Sequence, residues 1–326
     1  MLPDELARII RGYQASRAVL SAIELDLFTG VGQGATADEV ARKAGADPRA
    51  TEMLLNALVA LGLLTKCDGV YRNSEAAARY LSGDSPASER LAWMHSVNQW
   101  RSWSTLTDCV REGTSVLIRE GYRRAASFTE PFMAAMQRNA RERAPQVVQA
   151  VGASGVRRLL DVGGGPACYA IEFARGNAEL RAEVLDQPSV IPFAQRNIAE
   201  AGLAGRVQAR AGDLTSDSLG HDWDLILVSN ICHILGPRDN RRLLRRCHEA
   251  LASNGRVVIQ DFILNPDRTS PAEAAMFALN MLVATGEGNS YSEPEYREWL
   301  AQAGFGDIRR VNLAGPSDLM VGVRLP

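Results

Sequence analysis

The sequence predicts an α/β protein, a mostly parallel sheet covered on both faces, with a helical winged-helix domain ahead of it. Three observations carry this. Short apolar runs at Arg158–Val162, Arg181–Leu185, Arg206–Ala211, Trp223–Ser229 and Gly255–Phe262 alternate with helical stretches, the pattern of strands joined by crossover helices. The first run ends in Asp161-Val162-Gly163-Gly164-Gly165 and leads into Cys168-Tyr169-Ala170-Ile171, so a strand, a glycine turn and a helix follow one another. Residues 36 to 73 read as helix, helix and two-stranded wing.

Composition sets the bounds. The chain has 326 residues, 46% of them hydrophobic, enough for two domains with real cores. A net charge of −2 gives no electrostatic footprint for nucleic acid, and no apolar run approaches the length that spans a bilayer. The N-terminus lacks a basic segment followed by an apolar one, so a cytoplasmic location is expected. The five cysteines are odd in number and have no C-x-x-C pair, which argues for free thiols and against a zinc site.

In chain order, residues 4 to 28 carry apolar side chains at helical spacing and predict one or two amphipathic helices. Thr36 to Glu39 is a capping box, Gly45 ends the helix it opens, Pro48 opens the next, and Asp68-Gly69 turns a hairpin within Leu64 to Asn73. The Pro48–Gly62 helix offers only Arg49 and Asn56 to a DNA groove. It is apolar almost all round, which predicts a covering partner subunit. Residues 84 to 150 look all-helical, with one helix from Pro131 to Pro145. Trp93, Trp100 and Trp103 there are either core or the wall of a pocket for a flat aromatic molecule. Late in the chain, Glu293–Ala303 predicts a helix and Leu319–Val323 a short strand. The expected organisation is a winged-helix domain in 1–85, a helical linker contributing to a substrate pocket in 86–150, and a cofactor-binding domain in 151–326.

Ligands of open α/β sheets bind beyond the carboxyl ends of the strands. Polar residues stand at five such places: Asp161, Asp186, Asp213, His233 and Asp261. The glycines allow a tight turn and a close approach of backbone to ligand, and the following helix N-terminus points its N–H groups the same way. An adenosyl group fits there. The dinucleotide fingerprint G-x-G-x-x-G fails, because Cys168 stands where its third glycine should be. Asp186 lies at the distance beyond the glycines where an acid meets ribose hydroxyls, and Gln187 follows it. In Gly212-Asp213-Leu214, Asp213 could accept from an adenine amino group while Leu214 packs on the ring, or it could cap a turn. His233 can take a proton from a substrate hydroxyl.

Asp161, Gly163 and Gly165 together resemble the D-x-G-x-G motif of S-adenosylmethionine (SAM)-dependent methyltransferases. With Leu185-Asp186-Gln187-Pro188, Gly212-Asp213, Ile231-Cys232-His233 and Glu249-Ala250-Leu251 through Gly255, nearly the whole chain resembles the caffeate/flavonoid-type SAM-dependent O-methyltransferases of plants and their bacterial natural-product relatives. The resemblance implies a Rossmann-like SAM-binding domain, a winged-helix dimerisation domain and a homodimer acting on a small, aromatic acceptor. It implies that His233 is the catalytic base, Asp261 orients it, and Met136 lies near the reactive methyl. Four positions depart from the family: Ile234-Leu235 replaces Asp-Trp after the histidine, Ser229 matches a lysine that helps hold the nucleoside, and Ser290 matches a second acid beside the base. Other SAM-dependent chemistry (hydroxylation or decarboxylation) and a ligand-sensing regulator are the alternative readings.

Overall fold

The computed structural model describes residues 3–121 and 128–326. They divide into two compact units, residues 1–100 with 130–135 and residues 101–129 with 136–326.

The first unit holds α1 (Pro3–Glu24), α2 (Leu27–Val31), β1 (Ala35–Thr36), α3 (Ala37–Ala44), α4 (Pro48–Ala60), β2 (Leu64–Cys67), β3 (Val70–Asn73), α5 (Glu75–Tyr80) and most of α6 (Arg90–Trp103). Local chemistry fixes these boundaries. Thr36 and Glu39 form the reciprocal capping box of α3, with the Thr36 amide donating to Glu39 at 2.8 Å. Asp47 caps α4 by accepting from the Ala50 amide at 2.8 Å, and Pro48 sits where its missing N–H costs nothing. Asp68 and Gly69 both have positive φ, as a tight two-residue hairpin requires. The wing gains a third strand that the sequence reading missed, because β1 pairs with β3. An exposed apolar stripe runs along α1, through Leu6, Ile9, Ile10 and Tyr13. On α4, Leu55 and Leu58 are buried in the unit's own core and Met53 remains exposed. Leu61, directly after α4, is 43% exposed as well, so the Pro48–Gly62 segment leaves apolar surface uncovered as expected, and α1 adds more.

The second unit comprises α7 (Leu106–Glu112), α8 (Val116–Arg119), α9 (Thr129–Val151, from Met136 on), β4 (Arg158–Val162), α10 (Cys168–Gly176), β5 (Arg181–Asp186), α11 (Ile191–Glu200), β6 (Val207–Ala211), β7 (Trp223–Ser229), α12 (Pro237–Ala250), β8 (Leu251–Asp261), α13 (Ala272–Ala284), α14 (Glu293–Gln302), β9 (Phe305–Val311) and β10 (Asp318–Arg324). Its sheet runs β6-β5-β4-β7-β8-β10-β9. The first five strands are mutually parallel, and β10 runs antiparallel between β8 and β9. Strand β9 was not foreseen: its alternation of buried and exposed positions is broken by Asp307 at positive φ, and Arg309 and Arg310 follow.

Alternate residues of β4 and β7 feed two cores. Leu159, Leu225 and Leu227 face α9, α10 and α11, while Leu160, Ile226 and Val228 face α12 and α14. Helix α9 runs straight past Pro145, which the sequence reading took as its end. The proline forfeits one amide hydrogen bond, yet Ala144, Val147 and Val151 are buried in the core on either side of it and hold the helix on course.

Candidate active site

Parallel pairing of β6, β5, β4, β7 and β8 sets their carboxyl ends along one rim, which gathers the polar residues that follow them. At the centre is the turn after β4. Gly163 has φ +69°, and a Cβ there would lie 2.2 Å from Ile231 Cδ1; at Gly164 a Cβ would lie 2.5 Å from the Asp161 carboxyl. Gly165 has φ +53° and open space where its Cβ would be. The turn is thus packed from below and open on the side where a ligand would approach.

Asp161 is fully buried beneath this turn, and among the described residues neither of its oxygens has a hydrogen-bond partner. Burial, with the Asp186 charge as the second cause, pushes its carboxyl up to about 7. An unsatisfied buried acid costs free energy that a cationic ligand would offset, and SAM carries both a sulfonium and an ammonium group. The residues present therefore fit the cofactor. At the end of β5, Asp186 accepts from the Gly165 amide at 2.8 Å and from the Gln187 amide at 2.7 Å. A carboxylate has about four acceptor positions, so two stay available to a ribose diol. Burial raises this carboxyl as well.

Not every predicted contact is poised in the same way. Asp213 uses one oxygen to accept from the Thr215 hydroxyl and amide, both at 2.7 Å, and these bonds lower its carboxyl. That is the turn-capping alternative. Gly212 carries the turn beside it, since a Cβ there would lie 2.7 Å from Leu185 Cδ1. The Leu214 carbonyl accepts from Arg246, which also donates to the Asp217 carbonyl, so Arg246 fastens this loop and is not simply a solvated charge. Ser229 is buried and donates to Gln260 at 2.9 Å, a neutral pair where the family places a lysine. Met136 sits half-buried on α9.

The turn after β7 is a single 3₁₀ turn, Cys232–Ile234, and it holds His233. The imidazole is 7% exposed and its Nδ1 lies 2.7 Å from Asp261 Oδ1. Asp261 also accepts from the His233 amide at 3.1 Å, the Phe262 amide at 2.9 Å and the Tyr296 hydroxyl at 3.0 Å. Four donors around one carboxyl describe a carboxylate, so the proton of the imidazole sits on Nδ1 and the lone pair on Nε2. The structure thus brings His233 and Asp261 together. Two aromatic partners were missed: Phe277 of α13 meets His233 edge-on at 4.8 Å and stacks on Phe262 at 3.9 Å. Trp103, one of the three tryptophans, donates to Asn280 of α13 at 3.1 Å. Trp93 packs against the first unit's core and Trp100 lies under the Arg17 guanidinium. Ser290 is buried, and its hydroxyl has no partner among the described residues.

A glycine turn over a buried acid, with further acids and a paired histidine along the same rim, defines an α/β enzyme of a nucleoside-bearing cofactor. Comparison with known proteins makes this specific. The O-methyltransferase domain family matches residues 103–306 and the O-methyltransferase dimerisation domain matches residues 7–83. The chain belongs to the O-methyltransferase family: it is a SAM-dependent O-methyltransferase, and the dimerisation domain supports a homodimer. It is 34% identical to the 3-hydroxy-5-methyl-1-naphthoate 3-O-methyltransferase of Streptomyces sahachiroi, over 99% of this chain and 95% of that one. It is 31% identical to the tetracenomycin polyketide synthesis 8-O-methyl transferase TcmO of Streptomyces glaucescens, over 98% and 96%. Human N-acetylserotonin methyltransferase, solved in complex with SAM, superimposes with a TM-score of 0.87 at 25% identity, covering 99% of this chain and 97% of that one. Nothing in these likenesses supports the hydroxylation, decarboxylation or regulator alternatives. Among the described residues no helix is long and apolar enough to cross a membrane.

Proposed function

We propose that the chain is a cytoplasmic homodimer that methylates a hydroxyl of a small aromatic molecule, with His233 as general base and Asp261 as the group that orients it. The observation that carries this is the 2.7 Å contact of His233 Nδ1 with Asp261, which leaves Nε2 as the proton acceptor. The cofactor supplies an electrophilic methyl group on sulfonium. Asp161, the Gly163–Gly165 turn, Asp186 with Gln187, Gly212 to Leu214, Ser229 and Met136 hold it in this reading, and Asp186 takes the ribose. Nε2 of His233 would take the proton of the acceptor hydroxyl, and the bound cofactor would supply the methyl to that oxygen, its carbon–sulfur bond breaking to leave the neutral thioether. Most of the acceleration comes from holding the two reactants in line.

The stacked Phe262–Phe277 pair beside the imidazole supports a flat acceptor, since aromatic faces favour offset stacking. Both named bacterial relatives act on fused-ring or polyketide substrates by their names. Dimerisation is assigned to residues 1–85, a contribution to the acceptor pocket to 86–150, and cofactor binding with catalysis to 151–326. A screen of phenolic and polyketide acceptors with SAM, read by mass spectrometry for the gain of one methyl group, tests the proposal. Methylation confined to aliphatic alcohols or amines would overturn the acceptor class.

A further inference from the structure

We infer that Tyr296 is a positioning residue for the reaction: its hydroxyl donates to Asp261 and through that carboxylate sets the orientation and proton affinity of His233. The inference rests on the reading of His233 as the base.

Sequence places Tyr296 on the first turn of α14 and 35 residues from Asp261, too far for local geometry to join them. Two devices bring them together. Ser292 and Glu295 form a capping box that starts α14, with Glu295 accepting from the Ser292 amide at 2.8 Å and from its hydroxyl at 2.7 Å. The segment leaving β8 is then stitched to that start, because the Leu264 amide donates to Tyr291 and the Glu293 amide to Leu264. Tyr296 consequently points at the end of β8, with its ring edge-on to Tyr291 at 6.2 Å and Trp299 at 5.6 Å.

The hydroxyl is part of the reacting network. It is fully buried and its 3.0 Å bond reaches Oδ2, which also accepts from the His233 amide. A bond from a neutral donor to a buried carboxylate is of the stronger, charge-assisted kind. Burial first, and then the Asp261 charge, pushes the Tyr296 phenol well above its ordinary value, so it stays protonated and its O–H is the donor to the carboxylate. The other groups facing the carboxylate are Cys232 from the 3₁₀ turn and Tyr291 from the segment before α14; burial keeps both neutral. Among the described residues, Asp261 is the acid in direct contact with His233, so it is the group that answers the positive charge the imidazole acquires. How strongly depends on how much of that carboxylate's charge is already shared with the tyrosine.

Tyr296→Phe keeps the ring and removes only the donor. With the donor gone, Asp261 holds the imidazolium more tightly and Oδ2 is fixed by one bond in place of two. The expected result is a fall of about 3–10-fold in plateau kcat, an acceptor KM within about 3-fold of wild type, and an acidic limb of kcat moved to higher pH. In a His233→Gln background the same change should cost nothing more, because its route to the reaction is gone. SAM calorimetry on each variant reports folding. Should Tyr296→Phe not fold, 3-fluorotyrosine at this position strengthens the donor and should move the limb to lower pH. An unchanged limb, or equal losses in both backgrounds, overturns the inference and leaves a structural tyrosine. Full turnover of His233→Gln by itself is a different outcome, which sinks the base assignment.

Discussion

His233 is held to Asp261 by two bonds at once, Nδ1 to Oδ1 at 2.7 Å and its own amide to Oδ2 at 3.1 Å. Ring and backbone of the same residue are thus referenced to one carboxylate, and the orientation of the imidazole does not depend on the family's Asp-Trp, which Ile234 and Leu235 replace.

Replacing His233 by Gln removes the proton acceptor and leaves the cofactor turn intact. Turnover should drop by about 10²-fold or more while SAM affinity stays within a few-fold. Asp261→Ala should give a smaller loss of the same kind. Steady-state kinetics with calorimetry separates the two quantities; a variant at position 233 with full turnover would assign the chemistry to proximity alone.

The pH dependence of the ligand-free enzyme follows from Asp161. Folded, this carboxyl titrates at about 7, against an unfolded value near 4, so between these the native state binds more protons. Its contribution to stability is full below about pH 4, declines as pH rises toward 7 and is flat above, by roughly 4 kcal/mol at most. Asp161→Asn should abolish that decline, melt higher than wild type at pH 8 without ligand, and bind SAM about 10-fold more weakly or worse. Thermal melts from pH 5 to 8 decide it. Parallel curves for the two proteins would remove the buried charge from the account.

Two glycines of one turn should fail differently. Gly163→Ala meets positive φ and the Ile231 side chain together, so it should destabilise the fold by about 3 kcal/mol or more. Gly165→Ala meets only the backbone cost, about 1–2 kcal/mol, and puts a methyl into the open space. Its main effect should be on SAM affinity. Denaturant melts beside calorimetry distinguish them, and equal melting losses would contradict the assignment of the open side to the ligand.

The apolar stripe of α1 predicts where subunits meet. Leu6, Ile9, Ile10 and Tyr13 are 50%, 61%, 65% and 58% exposed at helical spacing, more apolar surface than a lone unit leaves in water. Charges at Ile9→Glu and Ile10→Glu should turn a dimer into a monomer by light scattering. A dimer that survives both would move the interface elsewhere.

What could be read in the sequence was what local chemistry writes down. The capping box at Thr36, the Asp68-Gly69 turn, the Asp161 to Gly165 turn and the polar residue after each parallel strand all depend on neighbours in the chain. Tyr296 and Phe277 did not show. Each reaches the histidine through a packing decision made far along the sequence, the stitching of Leu264 to Ser292 for one and the seating of α13 for the other. Pro145 misled for a related reason: its local preference to end a helix was outweighed by buried neighbours on both sides.

The space a side chain would need at Gly163 is filled by Ile231, and Ile231 is two residues from His233. Donor turn and proton-acceptor turn are therefore keyed into each other like adjacent teeth, and neither can be rebuilt alone. For an engineer seeking new acceptors, this marks off the permissive ground. Exchanges at Phe277 of α13, whose ring packs against the imidazole, change the surroundings of the acceptor, whereas enlarging position 231 or 163 would misalign methyl donor and base together whatever the acceptor.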